Sequence, residues 1–173
     1  MMILITGGSK CGKSSLAETL LNDISEQKYY LATMKPFGEE AQKAIIRHQK
    51  MRKEKNFITI EQYIDIDKIR IPAHSAVLLE CMGNLCANEM FRDDTIFYPV
   101  EKIIRNLKSL YSATDMLVIV TNEVGMDGIS YSAGTMQYLS AMAELNQNTA
   151  QMADTVIECV CGIPLVMKGE IPC

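Results

Sequence analysis

The sequence has no tryptophan, only two histidines, and no long run of apolar residues. No apolar stretch approaches the roughly 20 residues of a membrane-spanning helix, so we expect no membrane span. The six cysteines, at positions 11, 81, 86, 159, 161 and 173, form no repeated C-x-x-C pairs, which argues against a structural zinc site. We expect reduced, mostly buried thiols in a cytoplasmic protein, with Cys159 and Cys161 packed on one face of a strand. Because the first strand starts at residue 2, we also expect no signal peptide.

What is present is the balance of a globular protein, with 48% hydrophobic and 22% charged residues among 173. This length predicts one domain, residues 1–173, with a sizeable core. The formal net charge of −4 argues against a nucleic-acid partner.

Residues 7–14, Gly-Gly-Ser-Lys-Cys-Gly-Lys-Ser, match the phosphate-loop pattern G-x-x-x-x-G-K-[ST] at every fixed position. An apolar run at residues 1–6 predicts a preceding strand, and the apolar spacing in residues 16–21 predicts a following helix. The glycines let backbone N–H groups point at phosphate oxygens at the helix N-terminus. Lys13 would reach the β- and γ-phosphates, and the Ser14 hydroxyl would complete a Mg²⁺ shell. The alternative, a glycine turn with a solvated lysine, is disfavoured by the flanking strand and helix, so we predict nucleoside triphosphate binding.

Apolar runs alternate with helical patterns along the rest of the chain, which predicts an α/β fold with a mostly parallel sheet. We expect strands near 28–33, 57–61, 75–81, 116–121 and 155–161, helices over 39–55, 99–111 and up to about 152, and a closing edge strand after Gly162. Ligands of such sheets bind beyond the carboxyl ends of the strands. Polar residues stand at these predicted ends: Thr33, Glu61, Glu80, Asn122 and Glu123.

Glu80 follows the apolar residues 77–79, in the position of the acidic residue that holds Mg²⁺, directly or through water, in phosphate-loop enzymes. A carboxylate that caps the following helix is the alternative. No N-K-x-D guanine-recognition motif is present, which disfavours a signalling GTPase.

His48 lies in the charged segment 39–55, on the helical face shared by Ala41, Ala44 and Ile45, which we expect to face the protein. Five cations, at positions 47, 50, 52, 53 and 55, crowd the last two turns, where they also suit the helix C-terminus. A neutral imidazole can attack the α-phosphorus of a nucleotide, with pyrophosphate leaving and a phosphoramidate forming. A packed core histidine explains the spacing equally well, so the residues alone leave both interpretations open.

The sequence resembles the adenosylcobinamide kinase/adenosylcobinamide-phosphate guanylyltransferase family of cobalamin biosynthesis, nearly end to end. The matching stretches are Ile5–Ser14, Tyr30–Thr33, His48-x-x-x-Arg52, Thr59–Glu61, Val77–Cys81 with Asn88, Val120–Gly125, Asn146–Gln147 and Gly162–Leu165. The T-N-E-V-G stretch and the helical His-x-x-x-Arg make the resemblance specific, because a phosphate loop alone is shared by many functions.

The resemblance implies a RecA-like, three-layer phosphate-loop NTPase fold with one antiparallel edge strand, assembled as a homotrimer. It implies a transferase that phosphorylates adenosylcobinamide with a nucleoside triphosphate, ATP or GTP, and then transfers GMP from GTP through a guanylylated His48. Lys13 would assist catalysis, and Ser14 and Glu80 would hold Mg²⁺. The implied nucleotide-binding residues are Gly7, Gly8, Ser9, Lys10, Cys11, Gly12, Lys13, Ser14, Thr33, Met34, Lys35, Gln49, Lys50, Met51, Arg52, Glu61 and Glu80.

The chain departs from the family pattern at three places. Residues 126–134 replace a Pro-Glu-Asn element, Ala44 replaces an arginine, and the tryptophan after the Glu80 strand is missing. The sequence therefore leaves open the corrinoid specificity, the preferred phosphate donor and the retention of both activities. A phosphate-loop kinase or nucleotidyltransferase for another small substrate is the alternative, and a non-catalytic nucleotide-binding regulator is a third possibility.

Overall fold

The computed structural model describes residues 1–22, 27–39, 42–43, 46, 55–92, 95–125 and 127–172. Strands and α-helices with both ends in these residues are, in chain order, β1 (Met2–Thr6), α1 (Lys13–Leu20), β2 (Gln27–Ala32), β3 (Phe57–Glu61), β4 (Ser75–Leu79), α2 (Met82–Met90), α3 (Val100–Ala113), β5 (Met116–Val120), α4 (Ala133–Met152), β6 (Thr155–Val160) and β7 (Ile163–Lys168). A short 3₁₀ helix covers Ile66–Lys68.

The described strands form one sheet in the order β3-β2-β4-β5-β1-β6-β7. β1 lies between β5 and β6 and is parallel to both, with Ile3 opposite Val118 on one side and Thr155 on the other. Only the β6–β7 pair is antiparallel among these strands. The predicted α/β fold with a mostly parallel sheet and an antiparallel edge strand is therefore confirmed.

The two faces of the sheet bury different side chains, because successive residues of a strand point to opposite sides. On one face, Met2 and Leu4 of β1 belong to a core that includes buried residues of α2, α3 and α4. On the other face, Ile3 and Ile5 pack in a core with Ala17 of α1. β1, β4 and β5 are thus apolar on both faces, which is why their sequences are continuous apolar runs rather than alternating ones.

The β6–β7 connection overturns one expectation about the cysteines. Cys161 and Gly162 form a two-residue hairpin loop with φ of 51° and 84°, between the paired residues Val160 and Ile163. Positive φ at both central residues is the requirement of a type I′ turn. Cys161 is therefore exposed in the turn, whereas Cys159 is buried in the strand. The two thiols do not share a core-facing surface.

The strand predictions agree with the structure to within two residues, but the helix that follows Glu80 had been given no bounds. β4 ends at Leu79, and α2 begins at Met82, where Cys81 caps it by accepting a hydrogen bond from the Asn84 backbone N–H at 3.4 Å. The helical pattern of its apolar residues is hard to recognise in the sequence, because Gly83 and two asparagines, which favour turns, lie among them. Of the predicted helix 39–55, only Glu39, Gln42, Lys43, Ile46 and Lys55 are described, and all but Lys55 are helical.

No helix within the described ranges combines the length and apolar character needed to cross a bilayer.

Candidate active site

The loop between β1 and α1 has the backbone geometry that its glycines predict. Gly7 and Gly12 have φ of 136° and 105°, and a side chain at Gly7 would come within 2.5 Å of the Cys159 carbonyl oxygen. Gly12 precedes α1 in a left-handed conformation, and its carbonyl accepts the Leu16 N–H at 3.0 Å. Because glycine has no side chain to cap the helix, the first N–H groups of α1 are left to a ligand.

Lys13 is buried, with 6% of its surface exposed, which excludes the solvated lysine of the alternative interpretation. Its ammonium Nζ donates to the carbonyl oxygens of Gly7 at 2.8 Å and Gly8 at 2.6 Å. A phosphate bound in the loop would replace these carbonyls as the partner of a charge that is already positioned. The side chain is also part of the packing under the loop, so an alanine substitution would leave a hole that a methionine would fill.

A cavity of about 490 Å³ opens over the loop, and residues from β1, β2, β4 and β5 ends contribute to its wall. Eight of the predicted nucleotide-binding residues line it: Ser9, Lys10, Cys11, Gly12, Lys13, Ser14, Met34 and Glu80. The wall is completed by Ser15, Cys81, Asn84, Val120 and Asn122. These last five were not among the predicted binding residues, although Asn122 had been singled out as a polar strand end.

The other predicted binding residues in the described part of the chain do not line this cavity. Gly7 and Gly8 begin the loop, and their carbonyl oxygens accept hydrogen bonds from the lysine. Thr33 is buried, and its hydroxyl donates to the Cys81 carbonyl at 2.9 Å. Lys35 is exposed.

Glu61 is also separate from the loop, because it ends β3, four strand positions from β1. At about 4.8 Å per strand this is roughly 19 Å. Its carboxylate accepts a hydrogen bond from the Tyr63 hydroxyl at 2.8 Å. Glu61 therefore lies too far along the sheet edge to contact the same phosphates as Lys13.

Asn88 of α2 holds three strand ends together. Its amide donates to the Thr33 carbonyl at 2.7 Å and to the Tyr63 carbonyl at 3.1 Å. With the Thr33–Cys81 hydrogen bond, this ties the segments that follow β2, β3 and β4 to one another. The floor of the cavity near Glu80 is thus fixed by hydrogen bonds that the sequence alone did not predict.

The end of β5 is held in a similar way by Asn146 of α4. The Asn146 side chain accepts from the Thr121 hydroxyl at 2.6 Å and donates to the Asn122 carbonyl at 3.2 Å. The Asn122 amide in turn lies 3.6 Å from the sulfur of Cys81. Asn146 therefore positions Asn122 in the cavity wall from 24 residues away.

A second cavity, of about 620 Å³, begins one residue after Asn122. It is lined by Glu123, Val124, Gly125, Asp127, Tyr131, Thr135, Tyr138 and Leu139. Burial raises the pKa of Tyr138 to about 12, so this phenol stays protonated and can donate a hydrogen bond at any physiological pH. The second cavity is lined by a mixture of apolar, aromatic and acidic side chains, which is suited to an organic acceptor rather than to phosphates.

The donor set of the first cavity fits a magnesium ion accompanied by phosphates. Mg²⁺ prefers oxygen ligands and commonly takes one or two from the protein and the rest from phosphates and water. The Ser14 hydroxyl and the Glu80 carboxylate both line the cavity beside Lys13, and Glu80 is only 8% exposed. Among the described residues, no group of three or more His, Cys, Asp or Glu side chains is placed to hold a metal ion. Phosphates and water would therefore have to supply the other ligands of a magnesium ion at this site.

His48 and the predicted binding residues Gln49, Lys50, Met51 and Arg52 lie outside the described residues. Lys55, which follows them, is described, and its ammonium pairs with the buried carboxylate of Glu18 at 2.6 Å. Glu18 belongs to α1, the helix that Lys13 begins. Lys55, one of the basic residues expected to suit the C-terminus of the predicted helix 39–55, therefore forms an ion pair with α1 instead.

A parallel sheet, a glycine loop that leads into a helix, and a lysine held under that loop together define the phosphate-loop NTPase fold. Residues 3–167 match the family model described as cobinamide kinase / cobinamide phosphate guanyltransferase. The chain belongs to this family, whose members are transferases.

Relatives of known function match over almost their full length. The bifunctional adenosylcobalamin biosynthesis protein CobU of Escherichia coli is 32% identical, over 97% of this chain and 100% of the relative. CobU of Salmonella typhimurium is 30% identical over the same shares. The bifunctional adenosylcobalamin biosynthesis protein CobP of Pseudomonas aeruginosa is 26% identical, over 98% of this chain and 99% of the relative.

Proposed function

We propose that this protein phosphorylates adenosylcobinamide with a nucleoside triphosphate, and that it transfers GMP from GTP to the resulting phosphate through a guanylylated His48. Both steps would belong to cobalamin biosynthesis and would be carried out by one catalytic domain, residues 1–173. The observation that carries the proposal is the convergence of Lys13, Ser14 and Glu80 on one cavity, next to a second cavity, in a chain that matches its family over residues 3–167.

In the kinase step, the triphosphate of ATP or GTP lies in the first cavity, with its phosphates on the loop N–H groups. The ammonium of Lys13 moves from the carbonyls of Gly7 and Gly8 to the phosphate oxygens, where it neutralises the charge of the transferred group. Ser14 and Glu80 would hold Mg²⁺, which supplies further charge neutralisation at the phosphates.

The second cavity is where we place the acceptor, with its hydroxyl directed at the γ-phosphate. Glu123 stands at the junction, because it lines the second cavity while its neighbour Asn122 lines the first. Its backbone N–H donates to the Gly7 carbonyl at 3.4 Å, and its carboxylate accepts from Thr6 at 3.4 Å, so it sits at the mouth of the phosphate loop. We infer that this carboxylate accepts the proton of the acceptor hydroxyl.

Replacing Glu123 with glutamine tests that role. Loss of a general base typically lowers turnover by 10²- to 10⁴-fold, so Glu123→Gln should lower kcat for adenosylcobinamide phosphorylation by about that factor and leave nucleotide affinity within about twofold. A variant with unchanged kcat, or one that loses nucleotide affinity instead, would remove Glu123 from the chemistry. Glu144→Gln is the control, because Glu144 is an exposed residue of α4 that bonds to Tyr98 away from both cavities.

In the guanylyl step, the neutral imidazole of His48 attacks the α-phosphorus of GTP, pyrophosphate leaves, and a GMP phosphoramidate forms. The phosphate of the acceptor then displaces histidine and takes the GMP. Because the attack needs an uncharged ring, labelling should be faster above the ordinary imidazole pKa of about 6.5 than well below it.

The chain offers a matched control, because His74 is the only other histidine. It precedes β4, at the edge of the sheet opposite the phosphate loop, and its ring pairs with Asp115 at 3.1 Å. Protein incubated with GTP and Mg²⁺ is analysed by mass spectrometry for a base-stable, acid-labile GMP adduct. His48→Asn should abolish the adduct and GMP transfer, while His74→Asn should retain both.

An adduct mapped to another residue, or GMP transfer without any adduct, would contradict the guanyl-histidine mechanism. Failure of the wild type to consume either triphosphate with adenosylcobinamide would contradict the proposed substrate.

We further propose that the protein is a cytoplasmic homotrimer. β7 supports self-association, because its side chains are exposed along its whole length and four of them are large and apolar: Ile163, Leu165, Val166 and Met167. Light scattering during size-exclusion chromatography measures the mass of the assembly against the 19.3 kDa chain.

A further inference from the structure

Cys11 of the phosphate loop meets Cys159 of β6, although 148 positions separate them. The Cys159 thiol of β6 donates to the Cys11 carbonyl at 3.1 Å. The Gly162 backbone N–H, in the β6–β7 turn, donates to the same Cys11 carbonyl at 2.8 Å. The middle of the phosphate loop is therefore seated directly on the end of β6.

The phosphate loop approaches the end of β6 closely beside the two cysteines. An added side chain at Gly7 would come within 3.1 Å of the Cys11 sulfur and 2.5 Å of the Cys159 carbonyl oxygen. One at Gly12 would lie 3.6 Å from the Cys159 sulfur. Glycines on both sides of Cys11 thus let the loop approach β6 closely, and they fix where the Cys11 side chain can go.

The two thiols differ in access. Cys11 lines the cavity that we assign to the nucleotide, whereas Cys159 is 1% exposed. Burial, together with the hydrogen bond to Cys11, raises the pKa of the Cys159 thiol, which is accordingly protonated at neutral pH. A reagent dissolved in water can reach Cys11 from the cavity, whereas the described residues leave Cys159 almost no exposed surface.

We propose that Cys11 and Cys159 form a thiol modification site, at which a low-molecular-weight disulfide converts the pair to a disulfide bond that closes the phosphate loop to nucleotide. This regulation rests on the proposed function of the first cavity.

The chemistry is two consecutive thiol–disulfide exchanges. Cys11 loses its proton to solvent, and its sulfur attacks one sulfur of the small disulfide, whose S–S bond breaks to release one small thiolate. Cys159 then loses its proton, its thiolate attacks the Cys11 sulfur, and the bond between that sulfur and the small thiol breaks. The second small thiolate leaves and takes up a proton, and the protein disulfide forms. Two protein thiols are oxidised, and one small disulfide is reduced to two thiols.

The bond would act on nucleotide binding through Lys13, whose ammonium lies 3.8 Å from the Cys11 sulfur. Nucleotide binding requires the Lys13 ammonium to leave the carbonyls of Gly7 and Gly8 for the phosphate oxygens, and the loop must accommodate this movement. A covalent link from Cys11 to β6 restrains the loop in its present arrangement. We expect the affinity for a fluorescent GTP analogue to fall at least tenfold.

The test uses oxidised glutathione on the full-length protein, with intact mass and peptide mapping as the readout. The wild type should become lighter by two hydrogens, with Cys11 and Cys159 in one linked peptide, and dithiothreitol should restore both mass and nucleotide affinity. Cys159→Ser should stop at a glutathione adduct on Cys11. Cys161→Ser is the matched control, because that thiol is exposed two residues further on and should not be needed.

Saturating GTP should slow the reaction of Cys11 at least tenfold in the wild type. A stable glutathione adduct on wild-type Cys11, a bond to Cys161 instead, or a disulfide form that binds nucleotide with unchanged affinity would each overturn the proposal. Failure of the reduced protein to bind any nucleotide would instead refute the proposed function, because the Cys11–Cys159 bond is mapped without nucleotide.

Discussion

Replacing Lys13 with methionine should separate the charge of this residue from its volume. The side chain is almost fully buried, so methionine keeps the packing under the loop while it removes the ammonium. Each charge-assisted hydrogen bond is worth about 1.5–3 kcal/mol. The loss of one such bond to phosphate corresponds to roughly a 10- to 150-fold increase in Kd, and the loss of two to a larger increase.

The stability of the fold should change much less. Methionine removes the bonds from Nζ to the carbonyls of Gly7 and Gly8, but it also removes the cost of burying an ammonium. Gly8 is exposed, so water can take over its carbonyl. We therefore expect a free energy of unfolding within about 1 kcal/mol of the wild type.

The assay is the anisotropy of a fluorescent GTP analogue, measured together with thermal unfolding of the same samples. Lys108→Met is the control, because Lys108 is exposed on α3, remote from both cavities, and should leave Kd unchanged. Wild-type Kd in a folded Lys13→Met protein would refute the assignment of the triphosphate to this loop.

Two further predictions concern stability. Gly7→Ala should destabilise the fold by at least about 2 kcal/mol, because φ of 136° strains any other residue and the new methyl would meet the Cys159 carbonyl. Gly8→Ala, where no atom lies within 4 Å of the added carbon, should change the unfolding free energy by less than about 0.5 kcal/mol, and equal effects would contradict the argument. The hydrogen bond from Lys102 lowers the pKa of Asp65 to about 2. The Asp65 carboxylate should therefore contribute roughly 1–2 kcal/mol to the free energy of unfolding above pH 4, and this contribution should disappear as the pH falls toward 2. Lys102→Met should therefore cost roughly 2–3 kcal/mol in urea unfolding at pH 7 and clearly less at pH 3, whereas a cost independent of pH would contradict the assigned ion pair.

Much of the site was predictable because its elements are local in the sequence. The phosphate loop is eight consecutive residues whose glycines, lysine and serine act through neighbouring backbone groups. Glu80 was predictable for a similar reason, since it directly follows a strand recognised by its apolar run. The partial exception is α2, whose glycine and asparagines obscured the helical period of its buried residues.

The contacts that hold the site together were not predictable in this way. Asn146 holds the end of β5, and Asn88 ties Thr33 to the Tyr63 segment, through hydrogen bonds that span 24 to 55 residues. The resemblance includes Asn88 and Asn146 among its matching positions, but their neighbouring residues do not show which distant backbone groups they bond. The sequence also did not show how far Glu61, a predicted nucleotide-binding residue, lies from the phosphate loop. Only the strand order places Glu61 roughly 19 Å from β1.

The sequence by itself determined the alternation of strands and helices, the parallel sheet and the position of the phosphate loop, because each depends on side-chain periodicity or on consecutive backbone conformations. Only the tertiary structure decided that Lys13 is buried against its own loop and that Cys11 meets Cys159 across 148 positions. It also decided that Cys161 turns outward. These outcomes depend on which strands become neighbours and how closely they approach, and that is set by packing of the whole sheet rather than by any one segment.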